Sequence, residues 1–329
     1  MVFETIASKA LHDNPLGDPH IRRLPVYLPP DYDRSSARYP TVYILSGYTG
    51  TGAMLLNATA WEETIQQRMD RLIAQGKAQP MLLVLPDAFT RYGGSQYINS
   101  TATGHYADYL LEIVNLVDAR FRTLADKDHR AIMGKSSGGY GALVSAMRHP
   151  GIFGLAADHS GDKYFELCYK ADFPKFLQAC ARFKDWGKIL KDPASVRPKG
   201  HEFFNFMNIA AMSACYAPNP NVPLGFELPV DSHTGELNTA VWERWLKHDP
   251  VYLLADYAEA LRNLKLLFLD CGTKDEFNIH YGCRIFVKRL ETLGIAHRYE
   301  EFNDGHRNIQ YRYDVSLEAI SRAMGAAAL

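Results

Sequence analysis

Gly134-Lys135-Ser136-Ser137-Gly138 stands between a short apolar run, Ala131-Ile132-Met133, and a stretch of good helix formers from Gly139 to His149. Pro150 then stops that stretch, as proline stops a helix. A G-x-S-x-G pattern set between a strand and a helix demands a very tight turn, with small residues on either side of the serine. The turn lifts the Ser136 hydroxyl to the carboxyl end of a sheet, where a base can reach it. The same letters also describe a Gly-rich helix start without chemistry, and the strand before them argues against that.

The rest of the chain extends this strand–helix unit in both directions. Strands are predicted over 4–11, 21–29, 41–45, 80–87, 155–161, 264–270 and 297–302, from apolar runs bounded by turn residues. Helices are predicted over 61–75, 106–121, 279–293 and 315–327, from apolar residues recurring on one side. Such alternation implies an α/β fold: a mostly parallel central sheet with helices on both faces. The rhythm breaks over 163–263, where helical pieces at 173–183 and 202–212 mix with Pro- and Gly-rich turns. That is too long for a structureless loop. It is read as a cap insertion over the carboxyl edge of the sheet, leaving 1–162 and 264–329 as the core. Its aromatic residues, among them Phe173, Phe176, Phe206, Trp242 and Trp245, are expected to form mostly its own core.

A serine hydroxyl is a poor nucleophile until a base takes its proton, and the base needs an acid to orient it. After an elbow of this kind the acid comes next in the chain and the histidine last. His306, in Asn303-Asp304-Gly305-His306 directly after the final strand, has the right place. His149, His159, His233, His248 and His280 lie on helices, in the insertion, or ahead of any acid. For the acid, Asp270, Asp275 and Glu276 compete. Asp275 is favoured because it lies past the strand, whereas Asp270 is still within it. Asp304 is too close to His306 and reads as a turn residue. The oxyanion that forms needs two N–H donors. The backbone N–H of Ser137 is one, and that of Tyr48 in Ser46-Gly47-Tyr48 is the other. The glycines at 47, 50 and 52 lack the Lys-Ser/Thr of a phosphate loop and the spacing of a dinucleotide loop. His201-Glu202-Phe203-Phe204-Asn205 lacks the second histidine of a zinc helix. No metal and no organic cofactor is expected.

Composition narrows the partners. A chain of 329 residues exceeds the usual single domain, which suits a core plus a large insertion. With 47% hydrophobic and 22% charged residues it reads as an ordinary globular protein. A net charge of -1 argues against a nucleic-acid or membrane-surface partner. No apolar run approaches a membrane span, and the first residues lack the pattern of a signal peptide. The five cysteines are odd in number and fit no zinc spacing, so reduced thiols and a cytoplasmic location are expected. The expected partner is a small-molecule ester, and homo-oligomerisation stays open.

The motifs together resemble the putative-esterase family of α/β-hydrolases. That family includes S-formylglutathione hydrolase, enterochelin esterase, feruloyl esterases and the mycolyl transferases. Tyr43-Ile44-Leu45-Ser46-Gly47-Tyr48 resembles its oxyanion segment, and Gly134 to Leu143 its nucleophile segment. Cys271-Gly272-Thr273-Lys274-Asp275 and Gly305-His306 resemble its acid and base segments. The match covers 20–162 and 264–325. The resemblance implies an α/β-hydrolase fold and a serine carboxylesterase acting through an acyl-enzyme. Acyl transfer on the same triad, or a non-catalytic binding protein on the same fold, are the alternatives. The chain departs from the family at Lys135, often His or Leu, which is expected to be a surface or ion-paired lysine, the alternative being help with an anionic acyl group. It also departs in the length of its insertion.

Overall fold

The computed structural model describes residues 1–325. The chain begins with β1 (Val2–Ala7) and β2 (Ile21–Tyr27), an antiparallel pair at one sheet edge. β3 (Thr41–Leu45), α1 (Ile65–Ala74) and β4 (Leu82–Val84) follow. A two-stranded ribbon, β5 (Asn99–Ser100) with β6 (Gly104–His105), leads into α2 (Tyr106–Arg120). β7 (Arg130–Lys135), α3 (Ser137–Arg148) and β8 (Leu155–His159) form the middle of the fold. The stretch up to residue 263 carries α4 (Phe165–Cys168), α5 (Phe173–Arg182), α6 (Trp186–Lys191) and α7 (His201–Tyr216). It ends with α8 (Thr239–Leu246), α9 (Pro250–Leu253) and α10 (Ala258–Arg262). β9 (Leu266–Gly272), α11 (Ile279–Thr292), β10 (Arg298–Phe302) and α12 (Tyr313–Met324) close the chain. The predicted last helix reached residue 327; its residues 326 and 327 lie outside the described residues.

The main sheet has eight strands in the order β1-β2-β4-β3-β7-β8-β9-β10. β2 runs antiparallel to β4, and every pair from β4 to β10 is parallel. All five residues of β3 are buried, as expected for a strand covered on both faces. α1 and α12 cover one face through Met69, Leu72, Leu317 and Ile320. α2, α3 and α11 cover the other through Ile113, Val117, Leu143 and Phe286. The predicted mostly parallel sheet with helices on both faces is therefore observed. β1 is shorter than the predicted 4–11 because the chain turns after Ala7 onto the Glu112 carboxylate. That carboxylate accepts from Ser8 Oγ at 2.5 Å and from the N–H groups of Lys9 and Ala10 at 3.1 and 3.0 Å. β4 falls short of 80–87, and a proline stands near each end, Pro80 and Pro86.

The aromatic residues of 163–263 are mostly buried and pack mainly on one another, as Phe173 does on Trp242 and Phe176 on Phe206, yet their cluster is not closed off from the core. Phe165 and Tyr216 pack against Tyr140 of α3, at ring separations of 6.3 and 6.0 Å. The apolar cluster runs without a break from the sheet into α5, α7 and α8. Lys163, fully buried at the start of the segment, pairs with Asp158 of β8 at 2.7 Å. Burial opposes the charge on Lys163, yet the carboxylate of Asp158 outweighs it and holds the ammonium above its ordinary range.

One ionisable group at this junction sets a pH dependence. The carbonyl of His248 accepts from Tyr140 Oη at 3.0 Å, and its Nδ1 lies 3.5 Å from Arg148. Burial, and then the cations Arg148, Arg244 and Lys247, push its pKa from 6.5 down to about 3. The folded protein thus keeps His248 neutral, while the unfolded chain takes up a proton near 6.5. Stability is full above that value and is lost as pH falls toward 3, by up to ~1.4 kcal/mol per pH unit. We expect His248→Gln to flatten the fall in melting temperature between pH 7 and pH 4, measured beside the unmodified protein.

Candidate active site

Ser136 sits between β7 and α3 with φ 59° and ψ −128°, a backbone conformation that L-residues seldom adopt. Its N–H is held by the carbonyl of His159 at 2.9 Å. The turn closes only because the residues around it are small. A Cβ on Gly138 would lie 2.1 Å from the Leu45 carbonyl oxygen, against backbone that cannot step aside. Gly138→Ala is therefore expected to destabilise the fold by about 3 kcal/mol or to prevent folding. Thermal melting of the purified variant checks this; an unchanged melting temperature would contradict it.

The structure brings the three predicted side chains together. His306 lies in the loop after β10 and places Nε2 2.9 Å from Ser136 Oγ. Its Nδ1 lies 2.7 Å from Asp275 Oδ2, in the loop after β9. The other oxygen, Oδ1, accepts from the N–H groups of Phe277 at 2.9 Å and Ile279 at 3.4 Å. Burial alone would raise the Asp275 carboxyl. The hydrogen bond and charge of His306 and those two amides outweigh burial and hold it below the usual range. An ionised carboxylate on Nδ1 fixes the ring with Nδ1 as donor, so Nε2 faces the serine as an acceptor. The Phe277 ring packs edge-on against His306 at 4.8 Å.

The competing candidates have other work. Glu276 does not reach the His306 ring; its carboxylate accepts from the His306 backbone N–H at 2.6 Å and so fixes the loop. Asp270 stays in β9 and binds His159 Nδ1 at 2.7 Å and Arg312 Nε at 2.8 Å. His159 in turn has Ser316 Oγ 2.9 Å from Nε2. This Asp270–His159–Ser316 row is completely buried and ties β8, β9 and α12 together. Asp304 is a turn residue, accepting from Gly305 N–H at 2.8 Å and Tyr311 Oη at 3.1 Å.

The loop after β3 comes close to the serine. A Cβ on Gly47 would stand 3.3 Å from Ser136 Cβ and 3.2 Å from the Lys135 carbonyl oxygen, so glycine permits the approach. Among the described residues no protein acceptor engages the N–H of Tyr48 or of Ser137. The Tyr48 ring donates its hydroxyl to the Tyr92 carbonyl at 2.8 Å and meets Phe204 edge-on at 5.8 Å. Tyr48 and Phe204 stand between a cavity of about 40 Å³ at Ser136 and a larger groove of about 740 Å³. That groove is lined by Phe203, Met207, Tyr92 and residues of 191–194. Lys135 corrects the expectation of an exposed or ion-paired side chain. It is half-buried, makes no ion pair among the described residues, and lines a cleft of about 370 Å³ with Asn308 and Gln310. Burial there pushes its ammonium pKa down, with Arg307 adding to the fall and Asp275 and Glu276 opposing it.

The sequence did not point to Asp162 or Asn208, which also face the serine. The signal for Asp162 was its place just past β8, at the carboxyl edge of the sheet. Asn208 had none, because its position depends on how α7 packs.

Comparison with known proteins places the chain. It is 31% identical over 148 residues to an endo-1,4-beta-xylanase/feruloyl esterase of Xylanibacter ruminicola, covering 42% of this chain and 19% of that protein. It is 26% identical over 151 residues to S-formylglutathione hydrolase of Mus musculus, covering 40% of this chain and 48% of that one. The match thus spans under two thirds of the length of either relative. A solved structure of a ferulic acid esterase superposes with a TM-score of 0.62 at 22% identity, covering 98% of this chain and 97% of that one. This likeness shows the α/β-hydrolase fold. The family described as Putative esterase matches residues 19–324, nearly the whole chain, and the protein belongs to that family.

Proposed function

We propose that the protein is a serine carboxylesterase, hydrolysing carboxylic or thio esters through an acyl-enzyme on Ser136, His306 and Asp275. The observation that carries this is the pair of hydrogen bonds from Asp275 through His306 to Ser136, at 2.7 and 2.9 Å. Ser136 Oγ attacks the ester carbonyl while His306 Nε2 takes its proton. The negative charge that forms on the carbonyl oxygen is met by the N–H groups of Tyr48 and Ser137. Asp275 stabilises the imidazolium, which then protonates the departing alcohol or thiol. Water repeats the sequence and releases the acid. No step needs a metal or an organic cofactor. The five cysteines are unpaired and buried, which supports the cytoplasmic reading. Among the described residues no helix is long and apolar enough to cross a membrane.

The 163–263 segment acts in this reading as a cap: it supplies Phe204 and Asn208 beside the serine and none of the three triad residues. The test is labelling by a fluorophosphonate probe together with hydrolysis of aryl acetate. Turnover with labelling at Ser136 supports the reading. A folded protein that neither labels nor turns over would leave it as a binding protein on a hydrolase fold. Product analysis with added alcohol separates release to water from acyl transfer.

A further inference from the structure

The small cavity at Ser136 carries polar groups that ester hydrolysis itself does not use. Asp162 and Asn208 both line it, and each is only 8% exposed. Asp162 Oδ2 accepts from Tyr169 Oη at 2.7 Å and Gln96 Nε2 at 3.0 Å, with Ser137 Oγ at 3.5 Å. Its Oδ1 accepts from no group among the described residues, and the Asn208 amide likewise has no protein partner there. Gln96 is aimed at this carboxylate by backbone in the left-handed region, with φ 53° at Gln96 and 55° at Tyr97. Such conformations persist only where the surroundings hold them, and they gather at functional sites. One carboxylate oxygen is thus fixed by the protein, and the other has no protein partner, in a residue that lines the same cavity as the nucleophile.

The size and position of the cavity identify what meets that oxygen. It holds about 40 Å³. At ~10–15 Å³ for one water-sized group, it admits about three non-hydrogen atoms. His306, which must protonate the leaving group, does not wall it. The half of the ester that enters is therefore the acyl half. An unpartnered carboxylate oxygen favours a group that donates a hydrogen bond, and the Asn208 amide can accept from or donate to the same group; a methyl group there would leave both unsatisfied. We infer that this cavity is the acyl subsite and that Asp162 and Asn208 select a short acyl group with a donor on the carbon next to the carbonyl, a 2-hydroxyacyl or 2-aminoacyl ester. The inference rests on the serine-esterase reading and adds a substrate class to it.

The test uses the full chain and three ethyl esters of nearly equal shape: propionate, glycolate and glycinate. Each kcat/KM is divided by the rate constant for hydroxide hydrolysis of the same ester, which removes their different intrinsic reactivity. Labelling by a fluorophosphonate probe is measured in parallel. Glycolate or glycinate is expected to exceed propionate at least ~10-fold after this correction, since sites built to bind a donor reject the analogue lacking it. Which of the two leads tells hydroxyl from ammonium. In Asp162→Asn one oxygen can keep the bonds to Tyr169 and Gln96, and the amide NH₂ then turns a donor into the cavity. The preference should collapse by at least ~10-fold, and Asn208→Leu should lower it as well. Equal corrected values for the three esters overturn the inference, as does a preference that Asp162→Asn leaves intact. Labelling without turnover of any of the three overturns the subsite and leaves the serine hydrolase standing. Loss of both labelling and turnover overturns the esterase reading itself. The comparison on the unmodified protein decides the matter even if neither variant folds.

Discussion

Ser136→Ala is expected to abolish labelling by a fluorophosphonate probe and to lower kcat by about 10⁶-fold, the scale seen when the serine of such a triad is removed. Ser137→Ala is the control. Its backbone N–H survives the change, and its hydroxyl gives up only a 3.5 Å contact with Asp162, at the limit of a hydrogen bond. Its turnover should stay within about tenfold of the unmodified protein, because the donor proposed for the oxyanion is retained. The two serines are neighbours, so the pair of variants separates the nucleophile from its surroundings. Labelling that persists in the first variant and vanishes in the second would reverse their roles.

Asp275→Asn is expected to cost about 10⁴-fold in kcat with little change in melting temperature, because an amide on His306 Nδ1 favours the wrong ring tautomer. Asp270→Asn should do the opposite. Asp270 holds His159 in a completely buried row with Ser316, and also binds the partly exposed Arg312. Weakening that row leaves the buried His159 imidazole short of a partner, while Arg312 keeps Glu300, at roughly 2 kcal/mol. Turnover per folded molecule should hardly change, whereas the melting temperature drops by several degrees. Kinetics and melting on both variants decide the assignment. A large loss of turnover at unchanged melting in Asp270→Asn would move the acid to β9.

The elbow was legible because its geometry is written into residue size: a turn that admits no Cβ at Gly138 must show glycine there. His306 and Asp275 were legible because a loop directly after a strand places a side chain at the same sheet edge as Ser136. The two carboxylates flanking that choice could be ranked only by chain distance from β9. Glu276, one residue further on, binds the His306 amide and not its ring, a difference that no spacing records. Asp162 and Asn208 stayed hidden for a stronger reason. They meet only because α7, from a stretch without regular rhythm, brings Asn208 to the same small cavity as Asp162. The aromatic residues of the insertion do pack mostly on one another, but Phe165 and Tyr216 also reach Tyr140 and bridge the two parts, which no spacing records.

That bridging has a kinetic meaning. α7 carries Phe204 and Asn208 on the side of the serine, while Phe206, Ile209 and Tyr216 on the same helix belong to the common apolar cluster. Swinging the helix aside would expose the apolar surface of those residues to water, which opposes a hinged opening. A substrate is expected to pass α7 by rotation of single side chains such as Phe204 rather than by the microsecond-to-millisecond closure of a hinged lid. Specificity and folding stability are thus bound into one helix, and a change in what the enzyme admits has to be made one side chain at a time.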